Sequence, residues 1–243
     1  HLRGQTLLPP PPEAKSKGSY ELGTVMYAGE EVGSFGLRER EWIQHCAIFG
    51  RSGGGKTNIG FLIFQQLLNH TKPVWVFDWK RNYRDVAQKL GVNVLTVGRN
   101  VAPFSFNPLQ APPGTEPGTW LKKLVEVLAH AYGFRQASSY VLEKALYALH
   151  ERGGELNVNA LREQLESTKG SGREGQWLQS ARRVVGTLCF GPVSRVLSGP
   201  PADIADLLAQ SVIFELDALT DSDKTFIIES LLRIEAMLAS LPT

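Results

Sequence analysis

Residues 45–60 read His45-Cys46-Ala47-Ile48-Phe49-Gly50-Arg51-Ser52-Gly53-Gly54-Gly55-Lys56-Thr57-Asn58-Ile59-Gly60. An apolar run leads into a glycine-rich turn, and apolar residues then recur at helical spacing at Ile59, Leu62, Ile63 and Leu67. The pattern predicts a strand over 45–49 and a helix over 57–68. Between them, Gly50 to Thr57 matches G-x-x-x-x-G-K-[ST] at every fixed position. Each residue type in it has a physical reason. Glycines let the backbone curl so that successive N–H groups converge on phosphate oxygens. Lys56 sets an ammonium group against the outer phosphates of a nucleoside triphosphate, and the Thr57 hydroxyl takes one position on Mg²⁺. A helix beginning near Lys56 adds the positive end of its dipole. The sequence thus predicts a site for ATP with Mg²⁺, formed by Gly50, Ser52, Gly53, Gly54, Gly55, Lys56, Thr57 and Asn58.

Downstream, a second apolar strand over 73–77 ends at Asp78. A helix over 82–90 closes on Gly91, and a third strand spans 92–97. This β-α-β-α-β alternation predicts an α/β fold with a mostly parallel sheet. Upstream, residues 20–39 are broken by Gly23, Gly29, Gly33 and Gly36 and suit small antiparallel strands. The period changes after Val97. A proline-rich loop over 100–118 precedes helices expected over 121–132, 140–151, 160–167 and 176–190, with no strand between them. A strand over 211–216 and an amphipathic helix over 222–241 complete the chain. The organisation expected is a linker or arm at 1–18, a core at 19–109, an all-helical insertion at 110–200, and a continuation of the core at 201–243 that is cut short.

The 243 residues carry a formal net charge of +2, which neither requires nor excludes a nucleic-acid partner. No apolar run approaches the roughly 18 residues that span a bilayer, so direct membrane insertion is not expected. Cys46 and Cys189 are the sole cysteines and suggest a reducing, cytoplasmic setting. The five histidines lack metal-ligand spacing.

Hydrolysis needs an acid near the metal. Asp78 closes a strand at the edge where ligands gather in such sheets, so it is a candidate for catalysis and, with Thr57, for the metal; strand-end Asp is equally a turn former. Glu215 and Asp217 follow a similar strand, and their turn-forming role is favoured. Lys80, Arg81 and Arg84, Lys122 and Lys123, and Arg182 and Arg183 form small basic groups that suit solvated faces better than a phosphate-contact patch.

Three stretches resemble the HerA/FtsK-type P-loop ATPases, a group that includes the ATPases of conjugative type IV secretion. They are residues 45–58, in which Asn58 follows Thr57 as in that family's phosphate loop; Val74-Trp75-Val76-Phe77-Asp78-Trp79-Lys80; and Phe104-Ser105-Phe106-Asn107-Pro108-Leu109. The resemblance implies a RecA-like P-loop core with the helical segment inserted, an ATPase whose catalytic residues include Lys56 and Asp78, and assembly into a homo-oligomeric, usually hexameric ring. It also implies movement of DNA or protein, with DNA and a membrane-associated complex as compatible partners. Asn82 stands where the family has a glutamate, and the family's later strand ending in two acids has no counterpart before Thr243. A nucleotide-switched interaction module and a small-molecule kinase are alternatives that share the loop.

Overall fold

The computed structural model describes residues 9–10 and 12–240. Part of the arm expected over 1–18, and the last residue of the helix expected over 222–241, lie outside the described residues. The chain groups into two compact units, one up to Val74 and one from Trp75 onward.

In the first unit a short helix, α1 (Glu13–Ser16), precedes the antiparallel hairpin of β1 (Tyr20–Tyr27) and β2 (Glu30–Leu37). Ala28 and Gly29 turn the hairpin with positive φ, the twist that two-residue hairpin loops require. Helix α2 (Lys56–Asn69) follows the phosphate loop and packs on β1. The buried Tyr20 ring lies against His70, with centroids 4.2 Å apart, and edge-on to Trp42. Its hydroxyl donates to Glu39 at 2.5 Å, and Glu39 pairs with Lys72 at 2.7 Å. Hairpin and helix end are thereby tied together.

The strand expected over 45–49 is not formed. These residues are exposed, Phe49 at 90%, and enter no ladder. An apolar run supplies the side chains of a strand but not its hydrogen-bonding partner, and β1 and β2 pair only with each other.

The second unit begins with β3 (Trp75–Asp78), α3 (Arg84–Leu90) and β4 (Asn93–Val97). A two-residue strand, β5 (Pro103–Phe104), follows within the segment expected to be loop; its proline sits at a sheet edge, where a missing N–H is tolerated. Five helices come next: α4 (Pro117–Tyr132), α5 (Gln136–Glu151), α6 (Val158–Ser167), α7 (Gly172–Leu188) and α8 (Gly191–Ser198). The fourth expected helix, 176–190, is thus α7, which starts earlier and stops at Leu188; Gly191-Pro192 open a separate α8. Helix α9 (Ile204–Leu208), β6 (Val212–Glu215) and α10 (Asp221–Ala239) close the unit.

All pairs in the four-stranded sheet are parallel, in the order β3-β6-β4-β5. The last strand in sequence therefore fills the gap between the two earlier ones. Every residue of β6 is buried. Phe214 stacks on Phe77 at 5.4 Å and meets Phe104 edge-on at 5.1 Å, an arrangement that adds to the area buried. The same core runs into the helices through Leu121, Leu124, Leu142 and Leu146.

The points where the helical segment leaves and rejoins the sheet are stitched together. Phe106 N–H donates to the Val196 carbonyl at 2.9 Å, Ala202 N–H to that of Ser105 at 2.8 Å, and the Ser105 hydroxyl to that of Pro200 at 2.6 Å. The Asn107-Pro108-Leu109 element is part of this seam. Asn107 donates to the Leu156 carbonyl at 2.6 Å and accepts from Leu109 N–H, while the buried Trp120 indole donates to the Pro108 carbonyl at 2.9 Å.

Candidate functional site

The phosphate loop belongs to the first unit. Gly53 and Gly55 have φ of 75° and 83°, a region that side chains rarely enter, so the curl depends on glycine at both. Gly54 N–H donates back to the Arg51 carbonyl at 3.1 Å and tightens the bend. Gly55 is the N-cap of α2 and offers no capping side chain. Consequently the amides of Gly53, Gly55, Lys56 and Thr57 donate to no acceptor among the described residues. They form a cluster of unpaired N–H groups at the positive end of a helix dipole, the arrangement that suits an anion. The Lys56 ammonium folds onto the loop, donating to the carbonyls of Gly50 at 2.9 Å and Arg51 at 2.8 Å. Ser52, Thr57 and Asn58 are exposed on the same turn. The structure thus gathers Gly50, Ser52, Gly53, Gly54, Gly55, Lys56, Thr57 and Asn58 on one stretch, and the donor set fits a polyphosphate with a hydroxyl available for its metal.

Asp78 lies in the second unit, at the carboxyl end of β3, 4% exposed. One oxygen accepts from Lys80 N–H at 3.1 Å and the other from Tyr83 N–H at 2.8 Å. Its carboxylate therefore shapes the turn into α3, as the turn-forming reading anticipates. Burial, followed by the Asp78 charge, pushes the Tyr83 phenol up.

Parallel register sets Glu215 between Asp78 and Thr96. A buried carboxylate beside another acid is costly unless it is paired and hydrogen-bonded. Arg84 meets this need with a two-pronged contact, Nε at 2.9 Å and Nη2 at 2.5 Å, and Arg81 approaches at 3.5 Å. The hydrogen bonds to Glu215, aided by its charge, in turn raise the Arg84 guanidinium above its ordinary value. Asp217 pairs with Arg99 through Oδ2, whereas its buried Oδ1 has no partner. The sequence points separately to the basic group of Arg81 and Arg84 and to Glu215 as a strand-end acid, but not to their pairing, which spans 131 positions from Arg84. Lys224 is a residue that sequence reading missed: buried in the first turn of α10, it pairs with Asp221 at 3.2 Å and sits 5.6 Å from the Trp79 ring.

Arg182 is likewise structural. It donates to the carbonyls of Leu165, Glu166 and Thr168 and so satisfies the open end of α6. No helix of the described residues is long and apolar enough to cross a membrane.

Comparison with known proteins bears on these features together. Residues 20–234 match the family model described as "Helicase HerA, central domain". No curated protein sequence matches the chain. Among solved structures the chain is similar to VirB4 of Thermoanaerobacter pseudethanolicus, at 17% identity and a TM-score of 0.59, covering 78% of this chain and 55% of that one. It is also similar to the bacterial conjugative coupling protein TrwBdeltaN70 in its unbound form, at 14% identity and a TM-score of 0.53, covering 79% and 50%. The chain spans about half the length of each of these structures, and at such identities the likeness is one of fold, a RecA-like P-loop core.

Proposed function

The chain belongs to the family of the HerA helicase central domain, and from that premise we propose that it is the nucleotide-binding part of a ring-forming motor ATPase that moves DNA. One observation carries the reading: the amides of Gly53, Gly55, Lys56 and Thr57, with no acceptor among the described residues, and one ammonium group lie on a single loop whose curl requires glycine. In this reading Lys56 exchanges the Gly50 and Arg51 carbonyls for phosphate oxygens, a stronger charge-assisted bond. The amides of Gly53, Gly55, Lys56 and Thr57 donate to the same phosphates, and Thr57 would hold Mg²⁺ through its hydroxyl. Thr57 would thereby place a Mg²⁺ whose charge would help to neutralise the phosphates. Asp78 orients residues 79–83 through its contacts with the amides of Lys80 and Tyr83. Residues 110–200 form the helical insertion on a core made of 19–109 and 201–243, a division supported by the hydrogen bonds that join its two ends. A homo-oligomeric, hexameric ring in the cytoplasm completes the proposal.

ATP affinity of the Lys56→Ala variant tests the site. A loss of about tenfold or more is expected, because charged hydrogen bonds are worth about 1.5–3 kcal/mol. A change within about twofold, under about 0.5 kcal/mol, would remove Lys56 from the site.

A second reading, a nucleotide-switched interaction module with slow turnover, is favoured by the occupied carboxylates of Asp78 and Glu215. Turnover of the native protein with and without DNA separates the two. Stimulation by DNA supports the motor, and turnover indifferent to every DNA tried supports the switch.

A further inference from the structure

The turn from α4 to α5 and one face of α7 enclose a cleft of about 580 Å³ within the second unit. Gly133, with φ of 67°, ends α4 and lets the chain reverse, so that Phe134 and Arg135 line one wall. From α7, Gln176, Trp177, Ser180 and Arg183 line the other at helical spacing. Trp177 is 37% exposed, so part of this large aromatic residue is open to the solvent. The Arg135 guanidinium has no acceptor among the described residues, and that of Arg183 reaches only the Ser180 hydroxyl, at 3.5 Å. No carboxylate lines the cleft among the described residues. Glu174, one turn before Trp177, is outside the lining. The cleft therefore offers an indole and two uncompensated guanidinium groups in one concavity whose volume suits a small ligand.

We infer that this cleft binds a nucleotide unit, with its base stacked on Trp177 and its phosphate held by Arg135 and Arg183. An indole face accepts any base, while guanidinium groups match phosphate geometry. An acidic peptide would satisfy the two arginines but would leave the indole without a flat partner. The site is separate from the phosphate loop in sequence and in unit, and it does not depend on that loop's assignment. Its ligand is either a free nucleotide or one unit of a single strand; the recognising chemistry is the same.

The test uses the whole chain carrying Lys56→Ala, which weakens the phosphate loop, and reads the cleft through its own variants, so that failure here is distinct from failure there. Two probes are titrated, a fluorescein-labelled oligothymidylate of about ten nucleotides and free dTMP. Binding is expected, weakened about tenfold or more by Arg135→Glu or Arg183→Glu and less by the Arg→Lys versions. Trp177→Ala is expected to weaken it at least about fivefold, while Trp177→Phe keeps most of it. Tight binding of the oligothymidylate alone assigns the site to a strand, and equal binding of dTMP assigns it to a free nucleotide; either supports the inference. No binding of either probe at millimolar concentration overturns it. So does binding that is indifferent to all these variants, or displacement of the oligothymidylate by polyglutamate with Trp177→Ala silent, since charge alone would then explain it.

Discussion

At the phosphate loop the amides of Gly53, Gly55, Lys56 and Thr57 find no acceptor among the described residues, and Lys56 holds only carbonyls of its own turn. At the carboxyl edge of the parallel sheet the reverse holds. Every carboxylate oxygen of Asp78, Glu215 and Asp217 has a donor except Oδ1 of Asp217. The loop spends little on holding its own shape and leaves its donors for something else to meet. The sheet edge consumes its polar groups internally. Function and stability should therefore respond in opposite ways to changes in the two regions.

Two glycines give the largest contrast. Gly98 has φ of 82°, and a Cβ there would stand 2.9 Å from Cβ of Pro192 and 3.0 Å from the Pro192 carbonyl oxygen. Gly98→Ala combines backbone strain with overpacking and is expected to destabilise by about 3 kcal/mol in urea denaturation. Gly55 has a similar φ of 83°, yet nothing lies within 4 Å of a Cβ there. Gly55→Ala should cost only the strain, about 1–2 kcal/mol. Equal losses at the two positions would break the comparison.

Next in size is Arg84→Ala, which strips Glu215 of its bidentate partner. Breaking a buried pair costs about 3–5 kcal/mol, reduced here to about 2–3 because the arginine is half-exposed and Arg81 remains. The double variant Arg84→Met with Glu215→Leu should recover most of that loss, since no buried charge is left behind. Without recovery, the pair would be more than a self-contained compensation.

Lys56→Ala belongs to the other side of the contrast. Chemical denaturation should place its stability within about 0.5 kcal/mol of the parent, while its ATP affinity falls about tenfold or more.

The smallest effect concerns Glu39, whose hydrogen bonds to Lys72 and then Tyr20 hold its carboxyl below the usual range. A depressed acid contributes stability above its unfolded pKa and loses it as pH falls through the folded value. The Tyr20 clamp should thus loosen only in acid, at and below the ordinary glutamate range near ~4.3. Near-ultraviolet circular dichroism of Tyr20 and Trp42 would follow this, and Glu39→Gln should flatten the profile.

Local patterns were the legible part of the sequence. The phosphate loop is readable because its chemistry is contiguous, and β3, β4 and β6 because buried parallel strands are short apolar runs. Helix α8 has no counterpart among the helices expected from the sequence, although Gly191-Pro192 is a helix-start signal. What a single sequence does not encode is pairing between distant positions. Nothing near Glu215 announces Arg84 as its partner, and the apolar side chains of 45–49 say nothing about where a ladder partner lies. Asp78 shows the same limit at the site, because strand-end position alone does not reveal the two amides, of Lys80 and Tyr83, that donate to its carboxylate.

The position of β6 between β3 and β4 has a consequence for how the chain acquires its structure. During synthesis the ribosome releases β3 and β4 first, and neither can pair with the other across the vacant slot. The slot is filled only after the whole helical segment has emerged, so the closure is a late, long-range event of the kind that slows folding. Until then two apolar strand edges stand open to wrong partners, which makes this the stage most exposed to aggregation.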